Sequence, residues 1–296
     1  MVRIGHFYFG TTTAGQRLDK IAVHIVYYVA NGCAAHIMDI IRRVIRYRQL
    51  FIVLVWREFA VRYRYTIIGV MWAGLQPLSM MLLFTFIFTY IMKLHVSSYP
   101  SFIFYFAGLI PWTFFAHSLN SSIPSLTNHY QLITKIYFPR ELLPLAGITA
   151  ALLDFFICAV ILFVFILIYR IPLTWNALWL FPLIVLLVVF TTSVSLFLAG
   201  LNVYYRDVRL ASNFLIQLWF FMSPVMYSVD SLSTKMKLLL FLNPLTFIIE
   251  NTRRVLLEGR GIVLWQMAFV CVVITIFYVV LSRFFIKIER AFADVI

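Results

Sequence analysis

The sequence predicts an all-α polytopic membrane protein, and three observations carry that prediction. Hydrophobic residues make up 63% of the 296-residue chain and charged residues only 12%, about half the charge of an ordinary soluble domain. Six segments are long and apolar enough to cross a hydrocarbon layer of ~30 Å as helices of about 20 residues. Most of the 24 Lys and Arg residues fall beside those segments on one side, as orientation by positive charge requires.

The six segments are approximately 68–92, 101–123, 145–169, 178–203, 210–228 and 262–284. Pro77, Pro111, Pro182 and Pro224 lie within them or near their ends. Membrane helices tolerate such prolines because neighbouring groups satisfy the freed carbonyls. Placing the amino-terminal end in the cytoplasm puts Arg42, Arg43, Arg46, Arg48, Lys135, Arg140, Arg206, Arg209, Arg283, Lys287 and Arg290 on that side. Both termini are then cytoplasmic, in a multi-pass protein of the cytoplasmic membrane.

Residues 38–66 predict an amphipathic helix on the cytoplasmic surface. Ile41, Val44, Ile45, Phe51, Leu54, Val55 and Phe59 alternate with arginines that snorkel to the interface, among them Arg57, Arg62 and Arg64 beside Glu58. The chain therefore divides into an amino-terminal tail over 1–37, an interfacial helix over 38–66 and a transmembrane domain over 67–296. The tail has no membrane-length apolar run and no assigned role, and its removal is expected to be tolerated.

Two connections are longer than a tight turn needs. The first, LTNHYQLITKIYFPRELLP over 126–144, is on the cytoplasmic side and mixes Leu132, Ile133, Ile136, Tyr137 and Phe138 with Lys135, Pro139, Arg140 and Glu141. A segment of this kind is built to touch something. The second, over 229–260, is extracytoplasmic and has two apolar helical stretches broken at Asn243–Pro244. It predicts short re-entrant helices before the last span, since irregular backbone at membrane depth survives only against protein or a water-filled cavity. A pair of interfacial helices is the other reading.

Several chemistries are excluded. No GxxxxGK[ST] loop is present to cradle ATP phosphates, and no HExxH, GxSxG or Cys/His cluster occurs. Cys33, Cys158 and Cys271 share no metal or disulfide spacing and read as small packed residues. The net charge of +13 reflects orientation and anionic headgroups, not nucleic acid. One acid, Asp154, lies about ten residues inside the third segment. It should face the bundle with a partner, either as an interhelical hydrogen bond or as an ion relay. A bundle without an engine of its own takes its energy from outside.

Four stretches carry a resemblance that covers most of residues 50–296. WREFAVRYRYTIIGVMWAGLQPL over 56–78, LITKIYFPRELLPL over 132–145, NVYYRDVR over 202–209 with LWFFMSPVMYS over 218–228, and NPLTFIIENTRRVLLEG over 243–259 follow in order. Together they resemble the permeases of ABC-2 type exporters, in the branch that exports O-antigen, capsule and teichoic-acid glycans. The resemblance implies a homodimer that pairs with a separate ATPase subunit. That subunit holds ATP and Mg, while this chain binds no cofactor. The implied substrate is a glycan on undecaprenyl diphosphate. Leu132, Ile133, Lys135, Tyr137, Phe138, Pro139, Arg140 and Glu141 would couple to the ATPase, with Tyr137 and Phe138 as anchors and Arg140 at the rim. Arg57, Glu58, Arg62 and Arg64 of the interfacial helix would face the same partner.

Aromatic residues are 18% of the chain, and an interfacial belt accounts for most of them. Sugar faces also stack on aromatic rings, which makes Tyr90, Trp112 and Trp219 the candidates for the glycan path. Two rival functions stay open: an ABC-2 exporter of a small drug or lipid, and a self-contained secondary transporter or lipid flippase, which would need coupling residues beyond Asp154.

Overall fold

The computed structural model describes residues 38–93, 99–229 and 232–289, and every regular element among them is helical. The tail over 1–37 lies outside the described residues. Helical turns over 38–46 lead into α1 (Arg48–Tyr63). Gly69, at φ 63°, turns the chain from α1 into the first long apolar stretch, a left-handed conformation that glycine adopts without steric cost. That stretch is a single 3₁₀ turn, then α2 (Trp72–Phe84), then a π-helical segment Thr85–Ile91.

Next come α3 (Ser101–Ser122), the short α4 (Ser125–Asn128) and α5 (Tyr130–Lys135), and α6 (Leu142–Ile168). They are followed by α7 (Leu180–Tyr204), α8 (Asp207–Met222), α9 (Thr234–Phe241), α10 (Pro244–Leu256) and α11 (Leu264–Glu289). α3 is the centre of the bundle. It is apolar all round and buried without interruption from Ile103 to Trp112, as a helix surrounded by others must be. α6 packs most extensively against it, joined by α2, α7 and α10, while α11 leans on α7 and α1 on α6.

Among the described residues, five stretches are long and apolar enough to cross a membrane: Gly69–Ile91, Ser101–Ser122, Leu142–Ile168, Trp175–Tyr204 and Leu264–Glu289. The remaining segment read from the sequence, 210–228, is helical only as α8, 16 residues long, or about 24 Å at 1.5 Å per residue. Its apolar composition continues to residue 228, but Pro224 has no N–H to extend the ladder and the backbone opens at Ser223 (ψ 141°).

The expected break at Asn243–Pro244 is observed. Asn243 caps α10 by accepting from the Leu245 N–H at 3.1 Å, with Pro244 in the first turn. α10 is a packed helix: Leu245, Phe247 and Ile249 are completely buried, and it contacts α3 and α7.

Two apolar clusters matter for the site. The larger surrounds α3. A second joins Leu54 of α1, Leu126, Phe138, Leu142 and Leu143, Leu196 and Ala199 of α7, and Phe285 of α11. This end of the molecule also carries Arg43, Arg46, Arg140, Arg206 and Lys287. It is called the basic end below.

Candidate coupling site

The connection between α3 and α6 folds back on the basic end instead of spanning it as a loose turn. Ser122 Oγ donates to the Pro144 carbonyl at 2.9 Å, and Asn202 Nδ2 of α7 donates to the Ile123 carbonyl at 3.2 Å. His129 sits between α4 and α5. Its Nδ1 meets the Ser125 carbonyl at 2.8 Å, and its Nε2 is 3.9 Å from the Glu58 carboxylate of α1. The connection is thus fastened to α1 at His129 and to α7 ahead of α5, at Ile123.

Beyond α5 the backbone extends at Ile136, so successive side chains point opposite ways. Tyr137 is 96% exposed and Phe138 is 5% exposed. Phe138 fills the cluster with Leu54 and Phe285, inside this chain. Lys135 and Ile136 are exposed, Leu132 and Ile133 half-buried. Arg140 donates from Nη1 to the Glu289 carbonyl at 2.7 Å, and Tyr204 donates to the Ile288 carbonyl at 3.2 Å. Both cap the carboxyl end of α11, where unpaired carbonyls carry partial negative charge. A cavity of about 560 Å³ opens between these parts, lined by Arg43, Arg46, Tyr137, Pro139, Arg140 and Glu289.

Glu141 begins α6 and is almost completely buried, with Arg43 Nη1 3.4 Å from its carboxylate. Burial raises its pKa to about 7; the Arg43 guanidinium pulls it down, and Glu289 and Asp39 push it up. A carboxyl half-protonated near neutrality therefore lies where the connection enters the first turn of α6.

Asp154 has the partner the sequence requires, and it comes from α1. Arg62 Nη1 donates to Asp154 Oδ2 at 2.7 Å, Tyr63 Oη to Oδ1 at 3.0 Å, and Arg62 Nη2 to Ser121 Oγ at 3.0 Å. Burial, and then the Asp154 carboxylate, raise the Tyr63 phenol pKa, so Tyr63 stays a donor. Arg57 and Arg64 remain exposed and Glu58 faces His129. Of the three candidate path aromatics, Trp112 and Trp219 share Phe115 as a neighbour, and Tyr90 is exposed apart from them. Tyr90 is 71% exposed on the π-helical segment. Trp112 is buried against Phe115 and Phe220, and Trp219 packs on Phe115 and Phe190.

One functional residue was not singled out from the sequence. Arg253 of α10 is 3% exposed. Its Nε donates to the Phe104 carbonyl at 3.1 Å, Nη1 to Pro224 at 2.6 Å and Nη2 to Val225 at 2.6 Å. The guanidinium carbon lies 3.7 Å from the Phe104 ring centroid. The Pro224 and Val225 carbonyls lie just past the end of α8 and Phe104 belongs to α3, so Arg253 ties α3, the unwound turn after α8 and α10 into one unit. Gly108 leaves the room: a Cβ there would clash with Arg253 Nη2. Helical spacing was the available signal, since Thr246, Ile249 and Arg253 share one face and the first two are fully buried.

Residues 49–257 match the ABC-2 type transporter family. The chain belongs to that family. Among curated relatives, the O-antigen export system permease protein RfbA of Myxococcus xanthus is 32% identical over 224 residues, 75% of this chain and 85% of that protein. Two permeases of the same name from Klebsiella pneumoniae are 30% and 29% identical over 211 residues, 71% of this chain and 81% of each. The ABC-2 match runs from the start of α1 to the end of α10. It therefore takes in the Arg62–Asp154 pair, the connection around His129 and Tyr137, and the Arg253 clasp. This ABC-2 chain is a multi-pass membrane protein and a transport component.

Proposed function

We propose that this chain is the permease subunit of an ATP-driven exporter that moves lipid-linked, O-antigen-like polysaccharide out of the cytoplasm. The observation that carries the substrate class is the similarity to three O-antigen export permeases over most of both chains. The basic end faces the cytoplasm, in keeping with its arginines. There α5 and the exposed Tyr137 meet a separate ATPase subunit that holds ATP and Mg. Two copies of this chain enclose the path, and Tyr90 is the path aromatic best placed to face it.

Transmission follows from the contacts. A push on α5 reaches α1 through His129–Glu58 and reaches α11 through Arg140 and the Glu289 carbonyl. α1 is in turn bonded to α6 through Arg62–Asp154. The test is coexpression with the ATPase subunit of an O-antigen exporter. The purified pair should hydrolyse ATP while this chain alone does not, and the pair should restore surface glycan in a strain lacking both. Hydrolysis by the pure chain, or restored glycan without any ATPase, overturns the proposal.

A further inference from the structure

A second site lies at the opposite end from the coupling elements. α3, α6, α7 and α10 leave a cavity of about 150 Å³ between them. Its floor is made by small or ring side chains, Ala107, Pro111 and Ala159, and its walls by Leu183, Leu187 and Ile248. The single polar side chain in the lining, Thr252, is already committed: its hydroxyl donates to the Ile248 carbonyl at 2.7 Å. An apolar cavity of this size stays dry and takes up hydrocarbon guests.

Its position sets which guest. The lining on α6 runs from Phe155 to Ile166 and on α7 from Leu180 to Leu187, the same half of two antiparallel membrane-length helices. Its mouth is flanked by Phe156 and Phe163, 50% and 48% exposed on the outer side of α6. In a bilayer those rings meet lipid, so the cavity opens into acyl chains and not into water.

The rim adds a charge. α6 ends in a Schellman motif, with Ile171 N–H bonded to the Ile166 carbonyl at 3.0 Å and Arg170 N–H to Leu167 at 3.2 Å. The residue that must turn left-handed in this motif is usually glycine. Here it is Arg170, at φ 53°. It sits one turn beyond Ile166 of the lining. Its side chain is exposed, and it has no carboxylate partner among the described residues. A cation beside a helix carboxyl end is favourable in itself; above an apolar cleft at membrane-surface height it also complements a lipid phosphate.

We propose that this cleft holds one acyl chain of an anionic bilayer phospholipid, with the headgroup phosphate at Arg170. The chain wedges between α10 and the α6–α7 pair, so the lipid braces the helix that carries the Arg253 clasp.

The test uses the full-length protein in its complex, delipidated and then titrated with phosphatidylglycerol or phosphatidylethanolamine, with retained lipid counted by native mass spectrometry. The wild type should retain one phospholipid per chain and prefer the anionic lipid at least fivefold. Ala159→Phe, which fills the cleft, should cut retention at least fivefold. If that variant is not monodisperse, Ala159→Leu should cut it at least twofold. Arg170→Gly, which suits the left-handed turn, should keep the lipid but lose the headgroup preference. Unchanged retention in the Ala159 variants, a preference that survives Arg170→Gly, or an isoprenoid-phosphate carrier as the retained species would each overturn the proposal.

Discussion

Two guanidiniums at opposite ends of the bundle, one half-buried and one buried, are held in different ways. Arg62, at the basic end, is paired with a carboxylate and backed by Tyr63 and Ser121. Arg253 is held by backbone carbonyls, two of them at 2.6 Å, and an aromatic face. Its nearest carboxylate, Glu250, is 3.9 Å away. Carbonyls cannot titrate or swing, whereas a side-chain pair can open when either helix shifts. The contrast makes Arg253 a fixed clasp and Arg62–Asp154 a joint between α1 and α6.

The clasp should be the more costly to break. Arg253→Met orphans the carbonyls of Pro224 and Val225, each costing about 1–3 kcal/mol when buried and unpaired, and also removes the bond to Phe104. A loss of about 4–5 kcal/mol is expected, read as a lowered Tm and poor recovery of monodisperse protein. Gly108→Ala should act in the same direction from across the contact, because its Cβ would displace Nη2. If Gly108→Ala were neutral, the clasp would be no more rigid than the joint.

The joint should cost less and be rescuable. Asp154→Asn leaves a half-buried Arg62 facing an amide, worth about 3 kcal/mol at the low end for a broken buried pair. Replacing both partners, Arg62→Met with Asp154→Leu, should recover most of the stability, since apolar pairs often replace buried ion pairs at no loss. Transport should not recover with it if the pair transmits motion. Full transport in the double variant would reduce the joint to packing alone.

The sequence showed that Asp154 needs a partner but hid the role of both arginines. Composition and length exposed the spans, because a bilayer imposes length and apolarity on every crossing helix. The break at Asn243–Pro244 was legible because a cap and a proline act within a few residues. Asp154 could be predicted to need a partner, but Arg62 read as a snorkelling surface residue, since nothing local says that α1 lies against α6. Arg253 falls in the 229–260 connection, where a charge needs no buried partner. Its role depends on where Phe104 and Pro224 fall in space, 149 and 29 residues away in sequence. Phe138 and Tyr137 are adjacent and both aromatic; only the extended backbone at Ile136 separates their directions.

Glu141 sharpens the comparison by pH. Its folded pKa is raised from 4.5 to about 7 by burial, so the folded state holds the proton more tightly than the unfolded chain. Stability is therefore greatest at acid pH and falls as pH rises through this window. Between pH 5 and pH 7 the loss should be on the order of 2 kcal/mol. Glu141→Gln should flatten that slope, measured as Tm against pH in detergent. Arg253→Met should leave the slope unchanged, because the clasp has no part in this titration. An equal slope in Glu141→Gln and wild type would remove Glu141 from the account.

Tyr137 should matter least to the fold. With 96% of its surface exposed, Tyr137→Ala should change stability by less than about 0.5 kcal/mol. Phe138→Leu, a swap inside the cluster with Leu54 and Phe285, should cost about 1 kcal/mol. Binding should invert that order. An exposed aromatic beside a basic cavity suits an interface anchor, and truncating such an anchor typically costs about 2 kcal/mol or more. Tyr137→Ala should thus weaken ATPase copurification roughly thirtyfold with Tm intact, while Phe138→Leu should lower Tm and spare the complex. That pairing separates a surface built for a partner from a core that supports it. If Tyr137→Ala copurifies as wild type and Phe138→Leu does not, the partner reads the shape of the basic end through its core, and the exposed ring is incidental.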